Sequence, residues 1–289
     1  MTRPHHESAR IMVNGVHLNV EIWGNGPPVL LLHGFTGGAA TWKPFRDAWR
    51  GFRLVAVDLL GHGQSDSPAA WQRYSADHCV ADLVAVLDAL AVQRTSVLGY
   101  SMGGRIALRL AVGAPERVRA LVLEGSSPGI EDDQERAARR ESDWALADAI
   151  EREGVAAFVD RWQALPLFAS QARLPASTRD SLRRQRLRNN PIGLANSLRG
   201  MGVGAQQPLW EELPKLTAPT LVLVGAEDHK YRCLAEHMVT AMPNAHAVVL
   251  SGAGHAVHLE QPDTFAREVE KFLHLYGSPD ESKEVAPCP

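Results

Sequence analysis

Short apolar runs recur along the chain at Val29-Leu30-Leu31-Leu32, Leu54-Val55-Ala56-Val57, Ser96-Val97-Leu98, Ala120-Leu121-Val122-Leu123, Thr220-Leu221-Val222-Leu223-Val224 and Ala247-Val248-Val249-Leu250, separated by longer stretches with helical spacing. Strands that are continuously apolar, rather than alternating, bury both faces. The pattern therefore predicts a mostly parallel sheet flanked by helices on both sides. Ile11 to Trp23 behaves differently: it alternates in period two about Asn14-Gly15, a turn signal, and predicts an antiparallel hairpin at the sheet edge.

Between Leu123 and Thr220 the rhythm stops, and the sequence from about Pro128 to Pro208 is helical in pattern and rich in Ala, Arg and Glu. This predicts an α/β core made of residues 1–127 and 209–277, interrupted by a helical cap at 128–208. The polar residues 278–289 read as a disordered tail. No internal repeat is visible.

With 289 residues and 45% hydrophobic content, the chain can bury a large core without a partner. A net charge of −3 lacks the basic excess of a nucleic-acid binder, so no nucleic-acid partner is expected. There is no apolar leader at Met1 to Arg10 and no run near 18 apolar residues, so the expected setting is the cytoplasm, with no membrane partner. Cys79, Cys233 and Cys288 are odd in number and far apart, and His5-His6 sits on a polar terminus; neither set suggests a metal site. The sequence leaves the oligomeric state open.

Gly99-Tyr100-Ser101-Met102-Gly103 follows one of the apolar runs and opens a helical stretch, Arg105 to Val112. G-x-S-x-G between a strand and a helix is a sharp turn whose glycines relieve crowding around a strained, exposed nucleophilic serine. A serine hydroxyl needs an imidazole to accept its proton, and the imidazole needs a carboxylate to fix its tautomer. Two later strand-end loops supply them in order: Gly225-Ala226-Glu227-Asp228 and Gly252-Ala253-Gly254-His255. Asp228 also suits a helix N-cap. Glu124 is the reserve acid and His258 the rival base; glycine-flanked His255 fits a mobile general base better, with little packing role.

Oxyanion donors are expected from the Met102 N–H at the helix start and from the Phe35 N–H in His33-Gly34-Phe35-Thr36-Gly37-Gly38. The turn Asp58 to Ser65 reads as structural.

Arginines narrow the substrate. Arg105 lies four residues after Ser101 on the same helix and shares its face, so it argues for an anionic ligand. From Arg173 to Arg199 the cap carries seven arginines against one acid, Asp180. A basic helix is usually a solvated face, yet the guanidinium fork also suits carboxylates.

The chain resembles the α/β-hydrolase superfamily from Val29 to about Leu273. Within it, the chain is similar to the 2-succinyl-6-hydroxy-2,4-cyclohexadiene-1-carboxylate synthases of menaquinone biosynthesis. The resemblance is carried by Gly99-Tyr100-Ser101-Met102-Gly103-Gly104-Arg105, Glu124-Gly125-Ser126-Ser127-Pro128-Gly129, Glu135-Arg136-Ala137-Ala138-Arg139, Pro166-Leu167-Phe168-Ala169-Ser170, Gln185-Arg186-Leu187-Arg188-Asn189-Asn190 and Ala253-Gly254-His255-Ala256-Val257-His258. The Gly-Gly-Arg after the elbow and the cap blocks are the specific part, whereas the triad motifs are shared across the superfamily. The resemblance implies a triad of Ser101, Asp228 and His255 and three substrate-binding arginines at Arg105, Arg139 and Arg186. Arg140, Arg184 and Arg188 lie close enough to exchange with the two in the cap. Tyr100, Phe35 and Trp162 match pocket positions. It further implies a lyase that needs no cofactor or metal and acts on a small tricarboxylate, expelling pyruvate. The competing expectations are an esterase or carbon–carbon bond hydrolase of the same fold, and a triad-bearing sensor of a small ligand.

Overall fold

Asn14 and Gly15 both take positive φ, 46° and 83°, which folds β1 (His6–Val13) back on β2 (Val16–Trp23) in antiparallel register. This hairpin forms one edge of an eight-stranded sheet in the computed structural model, which describes residues 6–278. The remaining strands are β3 (Pro28–Leu32), β4 (Arg53–Val57), β5 (Thr95–Tyr100), β6 (Val118–Glu124), β7 (Thr220–Gly225) and β8 (Ala245–Leu250). Their order is β1-β2-β4-β3-β5-β6-β7-β8, with every pairing from β4 to β8 parallel. The expected doubly covered parallel sheet is present. The sequence expectation fails in one place: β8 is the far edge, and Val249 there is 47% exposed, because an edge strand is not covered on both faces.

One face of the sheet packs α1 (Ala76–Ala89), α2 (Met102–Gly113) and α6 (His229–Ala241) through residues such as Leu83, Ile106 and Met238. The other packs α8 (Pro262–Tyr276), whose Phe265, Ala266, Val269, Phe272 and Leu273 recur at helical spacing and meet Trp42, Phe45 and Trp49. The single turn α7 (Val257–Glu260) leads into α8.

The residues between β6 and β7 form α3 (Asp133–Gln163), α4 (Ala176–Leu187) and α5 (Pro191–Met201). The Leu209 N–H donates to the Pro128 carbonyl at 2.8 Å and ties the two ends of this excursion together. Asp132 caps α3 by accepting from the Glu135 N–H, and Asn190 caps α5 just before Pro191. Gly154, at φ 82°, breaks α3 into two helices, a kink that the sequence pattern did not reveal. A small core of its own, including Ile150, Phe158, Leu194 and Leu198, holds these helices together. The expected tail lies outside the described residues apart from Ser278, as do His5 and Cys288. Among the described residues no helix is long and apolar enough to cross a membrane.

Candidate active site

The turn from β5 into α2 forces Ser101 to φ 51° and ψ −108°, a conformation that a non-glycine residue occupies only when its surroundings hold it there. Two backbone bonds do so: the Ser101 N–H donates to the Glu124 carbonyl at 2.8 Å, and the Arg105 N–H donates to the Ser101 carbonyl at 3.1 Å. A Cβ on Gly103 would collide with the carbonyl oxygens of Leu32 and His33, so α2 can start this close to β3 only with glycine there.

The imidazole comes from the loop after β8. His255 Nε2 lies 3.1 Å from Ser101 Oγ, and its Nδ1 lies 2.7 Å from Asp228 Oδ2. A carboxylate can only accept here, so Nδ1 carries the proton and Nε2 is left to accept from the serine hydroxyl. Asp228 also accepts from the Tyr231 N–H and caps α6, so the cap and the histidine anchor are both real and use different oxygens. His255 is not the loosely held residue its glycine neighbours suggested. It is 2% exposed, and the rings of Tyr231, Tyr100 and Phe168 lie 4.6, 5.5 and 6.1 Å from its own.

The reserve acid and the rival base find each other instead. Glu124, fully buried, accepts from the His258 Nδ1–H at 2.8 Å and from the His258 backbone N–H at 2.9 Å. This second pair sits behind Tyr100, whose ring meets His258 edge-on at 4.6 Å. Burial pushes the Tyr100 hydroxyl well above its ordinary pKa, with nearby Glu124 adding to the rise.

Ser101 opens on a chamber with two lobes that share Phe35, Tyr100, Trp162 and Phe168. The smaller, about 110 Å³, holds Ser101, His255, Met102, Arg105, Arg139 and Tyr231. The larger, about 170 Å³, ends at Arg186 and Gln171 and includes His258. Phe35 packs edge-on against Trp162 at 5.3 Å, so the core loop and the helices above it meet across the chamber.

The three arginines differ in how they are held. Arg105 donates to the Met201 carbonyl at 3.1 Å and has a buried Nε with no acceptor among the described residues; burial lowers its pKa, partly offset by Tyr231. Arg186 is 8% exposed, has only a 3.5 Å contact to Gln171 Oε1, and lies over the Phe168 ring at 5.6 Å. Burial lowers its pKa as well. Among the described residues neither forms an ion pair, whereas Arg139 is paired with Asp143 at 2.8 Å on the rim. Of the other arginines between β6 and β7, Arg173, Arg183 and Arg199 are tied to Glu227, Asp160 and the Asp148–Glu151 pair. Arg184 and Arg188 line an outer groove with Lys43, and Arg136 is engaged with Asp133 and the Ile130 carbonyl.

His33 and the Asp58 turn are structural. The Leu59 N–H donates to His33 Nε2 at 3.0 Å, while Asp58 accepts from the Ala39 and Gln64 N–H groups and from Asn19. Sequence reasoning overlooked Tyr231, which packs on His255 from the first turn of α6, and Gln171, which supports Arg186. Tyr231 was findable, because it stands one helical turn after Asp228. Nothing in the sequence marked Gln171.

The sheet order and the serine at a strained strand-to-helix turn define the α/β-hydrolase class, and a family model described as "alpha/beta hydrolase fold" matches residues 27–262. A Bacillus subtilis (strain 168) protein provisionally named a 2-succinyl-6-hydroxy-2,4-cyclohexadiene-1-carboxylate synthase is 43% identical over 85% of this chain and 89% of its own length. A Serratia proteamaculans (strain 568) protein named as the same synthase is 33% identical over 86% of this chain and 93% of its own. The solved structure of MenH from S. aureus superposes with a TM-score of 0.85 at 31% identity, covering 89% of this chain and 98% of that one. The chain belongs to the 2-succinyl-6-hydroxy-2,4-cyclohexadiene-1-carboxylate synthase family of α/β-hydrolase-fold proteins.

Proposed function

We propose that this chain is the lyase of menaquinone biosynthesis that eliminates pyruvate from 2-succinyl-5-enolpyruvyl-6-hydroxy-3-cyclohexene-1-carboxylate, using Ser101, His255 and Asp228 as a proton relay. One observation carries the reading: Arg105 and Arg186 line the two lobes of the chamber on which Ser101 opens, Arg105 in the lobe with the serine and Arg186 in the other, without an ion-pair partner among the described residues. A buried charge without a counter-charge is costly, so these positions make sense as receptors for an anion. The substrate brings three carboxylates, and Arg105, Arg186 and the rim residue Arg139 supply three cations. A neutral ester would use none of them.

In the proposed reaction, Ser101 Oγ takes the ring proton α to the succinyl ketone as it passes its own proton to His255 Nε2, with Asp228 stabilising the imidazolium. The enolate oxygen sits against the Phe35 and Met102 N–H groups, neither of which donates to a protein acceptor among the described residues. The electron pair released from the C–H bond forms a ring double bond, the existing double bond shifts, and the carbon–oxygen bond to the enolpyruvyl group breaks. That group takes a proton and becomes pyruvate. Tyr100 and Trp162 wall the ring between the lobes. The relay needs no acyl-enzyme. A cytoplasmic enzyme with this small anionic substrate as its partner is the setting we propose.

The test is to offer the purified protein that substrate and, separately, a chromogenic acetate ester. Pyruvate release with little ester cleavage supports the lyase. Ester cleavage without pyruvate release replaces it with an esterase, and binding without turnover of either replaces it with a sensor.

A further inference from the structure

Thr36, next to Phe35, is buried and has φ 69°. Positive φ in a β-branched residue is a genuine outlier that costs energy unless outside contacts hold it. Within its own loop the turn is closed by the Gly37 N–H donating to the Gly34 carbonyl at 2.9 Å, a bond that leaves the Thr36 carbonyl unengaged. The contact to that carbonyl comes from a distant part of the chain: Asn189 Nδ2 donates to it at 2.9 Å. The same Nδ2 donates to the Arg186 carbonyl at 3.1 Å, and Asn189 Oδ1 accepts from the Gly63 N–H at 3.0 Å. Asn189 is 5% exposed, so solvent does not compete for these bonds. One carboxamide therefore joins the end of α4, the loop carrying Phe35 and the Asp58 turn. Its neighbour Gln185 adds a second tether, from Nε2 to Thr41 Oγ1 at 3.1 Å.

We infer that Asn189 is a positioning residue that sets the Phe35 N–H at the oxyanion site by clamping the strained Thr36 carbonyl, so that the site is complete only when α4 is seated. The inference rests on the lyase reading for the job given to the Phe35 N–H. It goes beyond that reading in assigning the geometry of the core loop to a residue of the helical excursion. Neighbouring Asn190 has a different use, since its side chain caps α5. The clamp needs both a donor and an acceptor on one short side chain. Asparagine has both; aspartate keeps only the acceptor, and alanine has neither.

The experiment compares wild type, Asn189→Ala and Asn189→Asp in pyruvate release and in amide hydrogen exchange. Both variants should lose at least tenfold in kcat with KM changed less than about threefold, because the oxyanion donor acts on the reacting state and not on carboxylate binding. Exchange should quicken at residues 34–37 in both. At Gly63 it should quicken in Asn189→Ala and stay closer to wild type in Asn189→Asp, which retains the acceptor. Added to Arg186→Ala, the Asn189 effect should multiply. Folded variants with kcat within twofold of wild type would overturn the inference. So would a loss confined to KM that vanishes in the Arg186→Ala background, which would mean that Asn189 serves the arginine. If Asn189→Ala does not fold, Asn189→Asp alone decides through the same kcat and residue 34–37 readouts. Should wild type release no pyruvate, the lyase reading fails, while unchanged exchange at 34–37 remains the separate result that sinks the clamp.

Discussion

The guanidinium of Arg186 lies 5.6 Å over the ring of Phe168, with no ion-pair partner among the described residues, at the end of the lobe opposite Ser101. An aromatic face and one long contact to Gln171 compensate little of the cost of burying this charge. The residue is thus expected to serve binding at the expense of stability. Arg186→Met keeps the packing on Phe168 and removes the charge. It should lower kcat/KM by about 1.5–3 kcal/mol, roughly ten- to 150-fold, while leaving the unfolding midpoint equal or higher. A lower midpoint with unchanged kinetics would make the guanidinium a structural element. Arg105→Ala should show a kinetic loss of the same order, and Arg105→Lys should recover only part of it, since lysine lacks the planar fork.

Asp228 uses one oxygen for His255 and the other to cap α6, so substitutions can separate the two jobs. Asp228→Asn retains an acceptor for the Tyr231 N–H and should fold as well as wild type, yet lose about 10²- to 10⁴-fold in turnover. Asp228→Ala should show a similar kinetic loss plus about 1 kcal/mol of stability from the missing cap. Because the relay acts as a unit, Ser101→Ala combined with His255→Ala should be little worse than either alone. Near-normal turnover of Ser101→Ala would remove the serine from the relay.

Replacing His258 separates support from chemistry. His258→Leu leaves the buried Glu124 carboxylate with only a backbone N–H, which should cost about 3–5 kcal/mol of stability. Turnover per folded molecule should fall far less than in His255→Ala. Denaturant unfolding beside active-site-normalised rates tests this; a folded, inactive His258→Leu would exchange the roles of the two histidines.

Two other imidazoles govern acid stability. Burial pushes His62 down to about 3, with neighbouring His33 opposing its protonation further, and burial lowers His33 as well. The Leu59 N–H needs His33 Nε2 unprotonated. An unfolded chain would take up protons at both near pH 6.5, whereas the folded one resists. Their stabilising effect is therefore whole above pH 6.5 and is lost as pH falls, for His62 until about pH 3. Each contributes a slope of up to about 1.4 kcal/mol per pH unit. His62→Gln cannot titrate, so its unfolding free energy should fall less steeply than wild type between pH 6.5 and 4. Parallel urea titration curves would contradict this.

The cluster of Ser101, Asp228 and His255 was legible because each member stands at the carboxyl end of an apolar run: Ser101 after β5, Asp228 after β7 and His255 after β8. Sheet pairing brings these ends together whatever the intervening residues do. The arginines of α4 were not legible in the same way. Arg184 and Arg188, four apart, share the helix face toward the outer groove with Lys43, while Arg186, two residues from each, points the opposite way into the chamber. Periodicity separates these two faces; only the docking of α4 on the core says which one is inward. Asn189 was hidden for the same reason, since its partners Thr36 and Gly63 are more than a hundred residues away. The packed state of His255 depends on Tyr231, Tyr100 and Phe168, three rings from three separate segments, so its glycine neighbours gave a misleading picture of freedom.

The central claim is that a hydrolase-type triad here carries out an elimination. Its most direct test follows pyruvate and the conjugated cyclohexadiene together as the enzyme consumes the enolpyruvyl cyclohexene substrate. The two products should rise one for one, Ser101→Ala should nearly abolish both, and the ring should gain no hydroxyl at the carbon that loses the enolpyruvyl group. Folded enzyme that releases no pyruvate, or that releases it without forming the diene, would contradict it.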